Sequence, residues 1–313
     1  MKSLTNDNDI SVKKIPTTRV SGSANDLVFN EIVDTVSVEE PLEVRIGLVS
    51  KDSVQPDSVE PDSVHQDFKQ QNSALQHHVE LNTVQQIAVT MRTPGNDKEL
   101  AIGFLFTEGI ISSKDDIANV TLDIRCNGVT VQLKDHVEVD AAVFSRHSFV
   151  ASSCGVCGKK TIAAVRVKRQ FACLHDEPVI SAELIHKLPG RLRSHQDNFE
   201  HTGGIHASCL FDLDGNLIDI KEDVGRHNAL DKLIGAELLA GNLPLHNRIL
   251  MLSGRASFEL IQKAAHAGLA VVAAVGAPSS LAVQLAEECD LTLLGFVRDG
   301  RFNIYSGAHR IKV

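Results

Sequence analysis

Tryptophan is absent from the chain and tyrosine occurs once, at Tyr305, so base stacking on an aromatic platform is not expected as the main activity. No apolar run reaches the roughly 18 residues that a membrane-spanning helix requires. The first residues, Met1 to Asn8, are polar with a single lysine and no apolar centre, so no secretory signal is expected there. Cysteine is sparse: six in 313 residues, at Cys126, Cys154, Cys157, Cys173, Cys209 and Cys289. That number cannot staple a chain of this length, which points to a reducing cytoplasm rather than an oxidising compartment. Positive charge is also in deficit, with 31 Lys and Arg against 40 Asp and Glu and a net charge of -9. The molecule as a whole is therefore not an electrostatic trap for nucleic acid or anionic membrane, and an anionic ligand would need a local cluster of arginines and backbone amides.

What is present is ordinary for a globular protein, 43% hydrophobic and 23% charged, in a length that suits one large domain or two small ones. Residues 1–35 show no sustained apolar period and read as a flexible tail. From 36 to 150 the pattern is β-rich: Pro41 to Val49 alternates as a strand, and Ile87 to Met91 reads as another. Between them, at about 51–80, a near-repeat of Asp-Ser-Val with Pro56 and Pro61 cannot bury a core and is expected to be a disordered insertion. Lys98 to Ile111 carries a helical apolar face. Val120 to Ile124, Thr130 to Leu133 and Val137 to Val143 read as a small antiparallel sheet.

Residues 151–160 form a loop that joins this half to an α/β domain at 161–313. Within it, Cys154 and Cys157 stand three positions apart among glycines, followed by Lys159, Lys160 and a helix-compatible run. Glycine allows a tight, mobile loop, and nearby positive charge with a helix start favours thiolate over thiol. Thiolates attack sulfur, carry sulfur or bind metal.

Past Val179 the chain alternates strands and helices. Ala182 to Leu188 is a short helix that Pro189-Gly190 is expected to end. Asp212 to Asn216 is a hairpin turn, a helix spans about Asn228 to Leu239, and two βα units follow, so a mixed sheet sandwiched by helices is expected. Polar clusters sit where strands give way to helices: Ser253, Gly254 and Arg255 after one strand, Gly276, Ala277, Pro278 and Ser279 after the next. Helix starts of this kind bind anions, although a serine there can be no more than a cap. Thr202, Gly203 and Gly204, the Glu222 to Asn228 segment with His227, and Phe296, Val297, Arg298, Asp299, Gly300 and Arg301 extend the set.

Taken in order, these blocks closely resemble the formate dehydrogenase accessory sulfurtransferase family, over about residues 36–49 and 85–313. They begin at Met91 to Asp97, pass through Ser152 to Gly158 and Thr202 to His206, and continue with Glu222 to Lys232, Ser253 to Arg255, Ala277 to Ser280 and Phe296 to Tyr305. The resemblance implies a cytidine-deaminase-like mixed-sheet sandwich without zinc chemistry, working as a homodimer. It also implies an enzyme that takes sulfur from a cysteine desulfurase and passes it to a molybdenum cofactor, Mo-bis(molybdopterin guanine dinucleotide), before that cofactor enters formate dehydrogenase. The cofactor is then a bound substrate and no permanent cofactor or metal is expected. Cys154 would carry the persulfide with Cys157 as relay, and the glycine, serine and arginine clusters of the α/β domain, with His227, would hold the cofactor. Two other functions fit the Cys-x-x-Cys: a zinc-dependent deaminase, which His78-Val79-Glu80, His136-Val137-Glu138 or His175-Asp176-Glu177 would have to complete, and a cofactor chaperone without catalysis.

Overall fold

The computed structural model describes residues 10–24, 26–48, 83–139, 170–172 and 177–312. The chain begins with a long antiparallel hairpin, β1 (Val12–Ser23) on β2 (Asp26–Ser37), where a flexible tail was expected. The sequence hid it because neither face of the hairpin is buried. Val20, Phe29 and Val33 are all exposed, so no period-two apolar signal is required of it. Residues 1–9, the insertion at 51–80 and the loop at 151–160 lie outside the described residues.

Next come β3 (Glu40–Leu48), β4 (Thr83–Arg92), α1 (Asp97–Thr107), β5 (Ile117–Asp123) and β6 (Gly128–Leu133). They make a four-stranded sheet in the order β4-β3-β6-β5. It is mixed rather than antiparallel, because β6 runs parallel to β3. Val137 to Val139, expected to be part of a strand, is irregular. With β3 in the middle, Val44 and Ile46 of β3 and Val129 and Val131 of β6 are buried together, which fixes this register.

The second half holds β7 (Ile180–Ser181), α2 (Ala182–Arg193), α3 (Asp197–Thr202), β8 (His206–Phe211), β9 (Leu217–Asp223) and α4 (Arg226–Ala240). It continues with β10 (Ile249–Leu252), α5 (Phe258–His266), β11 (Val271–Ala274), α6 (Ser280–Glu288), β12 (Thr292–Arg298), β13 (Arg301–Ser306) and β14 (Ile311–Lys312). Helix α2 runs through Pro189 instead of ending there. A proline inside a helix costs about 3 kcal/mol. Burial of Ile185, Leu188 and Leu192 along one face offsets it, at roughly 1.5–3 kcal/mol for each large apolar side chain.

Six strands form the central sheet in the order β13-β12-β11-β10-β8-β9, with β10, β11 and β12 parallel. Its inner strands β10 and β11 are short, apolar and buried on both faces, as strands covered on both sides should be. Ile249, Met251, Val271 and Ala273 point to one core, shared with α2, while Leu250, Leu252, Val272 and Ala274 point to the other, shared with α1, α4 and α5. The fold is α/β, with mixed sheets and helices on both faces of the larger one. No described helix is long and apolar enough to cross a membrane.

Candidate functional site

Strand direction gathers the predicted blocks on one edge of the central sheet. The parallel strands β10, β11 and β12 all end there. Antiparallel β8 and β13 start there, and β9 ends there. Ligands of open α/β sheets bind at the carboxyl ends of parallel strands, where loops leave backbone amides and small residues free. At this edge Ser253 N donates to Ala207 O at 3.0 Å, Gly276 N to Gly254 O at 3.0 Å, and Phe296 N to Gly276 O at 3.1 Å. Ser279 N donates to Ala256 O at 3.0 Å, and Ala256 bridges Pro278. Ser253–Arg255, Ala277–Ser279 and Phe296 thus form one hydrogen-bonded ledge. Glycine at 276 keeps this approach unstrained, because a Cβ there would sit a tight 3.0 Å from the Arg255 nitrogen and the Gly254 oxygen.

Phe296 adopts φ 53°, rare for a bulky residue, at a break in register between β12 and β13. The bulge turns its ring outward, 36% exposed, while Val297 drops into the core at 0%. Val297 can therefore offer a ligand only its backbone. Arg298 and Arg301 face each other across the Asp299-Gly300 turn, and both are exposed. Arg255 is exposed on the ledge. Thr202 accepts from Ser37 of the hairpin at 2.9 Å and donates to Asn198 O at 2.7 Å, so its hydroxyl is committed to structure. Gly203 ends α3 with φ 65°, and Gly204 is exposed beside it. Ser279 caps α6 through Ala282 N at 3.2 Å. His227 is buried below the ledge, with Nε2 3.2 Å from Ser257 Oγ and 3.5 Å from Glu259 Oε2.

The acidic block beside His227 has a different task from the ledge. Asp223 accepts from Thr93 N (3.1 Å), Gly225 N (2.8 Å) and Asn228 Nδ2 (3.1 Å), and pairs with buried Lys232. Lys232 also donates to Thr93 O at 2.8 Å, and Asn228 Nδ2 to Met91 O at 2.7 Å. Arg92 holds Asp97 through two bonds of 2.9 Å. These contacts lock the β4–α1 turn of the first sheet onto the β9–α4 turn of the second. Glu222 instead receives Asn198 N and Phe199 N at 3.1 and 3.2 Å, capping α3, and burial raises its carboxyl above the ordinary value despite those bonds.

Sequence reasoning missed a cavity of about 660 Å³ that adjoins the ledge, lined by Arg193, Gln196, Phe199, Gly203, Gly204, His206, Ser253 and others. Arg193 and Gln196 belong to no spaced motif; they sit at the end of α2 and at the N-cap of α3, and only the folded chain brings them to the cavity. His206 titrates below its ordinary value of 6.5, since burial and then the charge of Arg226 disfavour its protonated form, against the pull of Asp223. A neutral imidazole can both donate and accept. Among the described residues no three His, Cys, Asp or Glu side chains gather as a metal ion would need. His136 pairs with Asp116 at 3.0 Å in a turn. Cys154 and Cys157 lie outside the described residues.

Comparison with known families decides the relationship, with a match to the FdhD/NarQ family across residues 75–312. The chain belongs to the FdhD/NarQ family. Among its FdhD relatives, a sulfur carrier protein FdhD from Streptomyces avermitilis is 48% identical over 237 residues, spanning 72% of this chain and 83% of that one. Another protein of that name, from Mycolicibacterium paratuberculosis, is 41% identical over 286 residues, 89% of this chain and 92% of its own. A solved structure described as that of a formate dehydrogenase accessory protein, from Desulfotalea psychrophila, shares the fold with a TM-score of 0.68 at 20% identity, over 96% of this chain and 99% of that one. The ledge and the buried Asp223–Lys232 pair both fall within the FdhD/NarQ match, and the N-terminal hairpin precedes it.

Proposed function

We propose that this chain is a sulfur carrier that takes sulfur from a cysteine desulfurase and delivers it to molybdenum in Mo-bis(molybdopterin guanine dinucleotide), on the way to formate dehydrogenase. The observation that carries this reading is the convergence of the ledge, Gly203-Gly204 and the paired arginines on one sheet edge, next to a cavity of about 660 Å³. A substrate with two pyrophosphates and two guanines calls for such a surface: exposed guanidinium forks for phosphate and small residues that admit it closely. FdhD relatives carry the name of sulfur carriers, which agrees with the Cys-x-x-Cys of this chain.

In this reading the Cys154 thiolate attacks the terminal sulfur of the desulfurase persulfide. A new S–S bond forms on Cys154, the donor's S–S bond breaks, and the donor cysteine leaves as thiolate. Lys159 and Lys160 favour the attacking thiolate. Cys157, three positions along the sequence, relays the sulfur onward. The substrate's phosphates rest on Arg298, Arg301 and Arg255, and Asp299 with the ledge amides orients it. His227, 3.2 Å from Ser257 Oγ beside the ledge, completes this substrate-binding set. The protein works as a homodimer in the cytoplasm, on a cytidine-deaminase-like sandwich.

Maturation of formate dehydrogenase in cells that lack the native carrier tests this. The wild-type chain should restore formate oxidation, and the Cys154→Ala, Cys157→Ala double variant, expressed to the same level, should not. Full restoration by the double variant would make the protein a chaperone without sulfur chemistry.

A further inference from the structure

The hairpin of β1 and β2 is anchored to the body at its base, where Ser11 Oγ donates to Asn198 Oδ1 at 3.0 Å and Ser37 Oγ to Thr202 Oγ1 at 2.9 Å. From there the ladder runs without a break in register to Ser23 and Asp26. Side chains alternate between its two faces. One face carries Ile15, Ile32 and Val36 and turns toward the body. Ile32 and Val36 are half-buried, and Ile15 and Val36 line a cavity of about 920 Å³ shared with the β4–α1 turn. The opposite face pairs Pro16 with Val33 and Val20 with Phe29, and Leu27 follows toward the tip. On it Val20, Leu27, Phe29 and Val33 are 51%, 52%, 66% and 67% exposed. A two-stranded ladder alone is marginally stable in water, and a contiguous apolar face marks a contact with another molecule.

Charge indicates which molecule. Strand β1 holds Lys13, Lys14 and Arg19 and no acid, whereas β2 holds Asp26, Glu31 and Asp34 and no base. The hairpin is therefore neutral on a chain of net charge -9, so two copies can meet there without adding like charge to the contact. Opposite charge on its two strands also makes the surface complementary to itself, as a twofold contact requires. A twofold axis along the strands lays β1 on the partner's β2, the basic strand opposite the acidic one. Val20 then faces the partner's Phe29, and Pro16 faces the partner's Val33. A twofold across the strands would instead lay β2 on the partner's β2, acid against acid. Pro16 and the two lysines blunt the open edge of β1, which leaves the face rather than the edge for association.

We infer that two copies of this chain stack their N-terminal hairpins face to face, with Pro16, Val20, Leu27, Phe29 and Val33 at the centre of the contact. The inference rests on the homodimer of the proposed function and names the surface that makes it. Sheets stacked in this way lie about 10 Å apart, close enough to bury these side chains between them.

Sedimentation equilibrium on the full chain tests this in wild type, in the Phe29→Asp, Val33→Asp double variant and in Val28→Asp. Val28 is 48% exposed on the other face of the hairpin and serves as the control. Wild type should be a dimer. The double variant should raise the dimer dissociation constant by about a hundredfold or more, since each copy loses a buried aromatic and a buried valine. Val28→Asp should dimerise as wild type does. Disulfide trapping covers the case in which the double variant does not fold. A Val20→Cys chain mixed with a Phe29→Cys chain should give a covalent pair on oxidation, with the bond located by peptide mapping. Unchanged dimer affinity in the double variant, or no trapped pair, would overturn this inference and leave the homodimer standing. A monomeric wild type would overturn both.

Discussion

Lys232 places its Nζ 2.7 Å from Asp223 Oδ2 with the two side chains 2% and 0% exposed. Burial raises the Asp223 carboxyl, and the Lys232 ammonium pulls it back toward the charged form. Around this pair the two sheets are joined through Thr93, Gly225 and Asn228. Replacing Lys232 with Met leaves a buried carboxylate without its cation and should cost about 3–5 kcal/mol. Urea midpoints give the value. Lys187→Ala, which breaks only an exposed pair with Glu183, should leave the urea midpoint essentially unchanged, because solvent screens that pair.

A second contact rests on two glycines. A Cβ on Gly235 of α4 would lie 1.9 Å from Glu99 O, and one on Gly103 of α1 would lie 1.9 Å from Asp231 O. The two helix backbones touch there, beside the buried Asp231–Lys263 pair at 2.9 Å. Gly235→Ala should destabilise the protein by about 1–3 kcal/mol or more, although alanine is the better helix former, because backbone must move. Thermal unfolding of the variant reads this directly, and an unchanged midpoint would contradict the close packing.

His206 makes stability depend on pH in a defined direction. Its folded pKa lies below the ordinary 6.5, held down by burial and by Arg226. Between those two values the unfolded chain binds more protons than the folded one, so stability rises with pH through that window and levels off above about 6.5. Acidification from about pH 7 to about pH 5 should therefore cost wild type more than His206→Asn. Parallel curves for the two proteins would show that His206 titrates normally in the fold.

Arg298 and Arg301 carry the phosphate part of the account. Changing both to Ala should weaken GDP binding by about tenfold or more, since hydrogen bonds to charged groups are among the stronger ones. Persulfide loading at Cys154 should survive. Undiminished GDP affinity, measured by calorimetry, would leave Ser253–Arg255 and Ala277–Ser279 as the anion site.

Much of this was written locally in the chain. The βα units were legible because apolar runs such as Ile249–Leu252 and Val271–Ala274 are bounded by capping serines and glycines. Their convergence on one edge follows from parallel pairing, which short apolar strands imply. The hairpin of β1 and β2 was not legible, since a ladder with both faces exposed needs no alternation. Nor was the persistence of α2 through Pro189, which depends on burial of Ile185, Leu188 and Leu192 by distant strands. The Glu222 to Lys232 block looked like a chemical site because it is dense in charge. Two of its charges, Asp223 and Lys232, are spent on holding two sheets together, a role that only their pairing with each other and with Thr93 discloses. Gln196 carried no signal at all, being one polar residue between two helices.

The central claim is that Cys154 carries sulfur, and intact mass tests it most directly. The purified chain is incubated with a cysteine desulfurase and cysteine, then measured without reductant. An adduct of about +32 Da, one sulfur on a reactive thiolate, should appear in wild type, disappear on treatment with dithiothreitol, and be missing in Cys154→Ala. The same adduct persisting in full in Cys154→Ala, or no adduct in wild type under conditions where the desulfurase itself is loaded, would contradict the account.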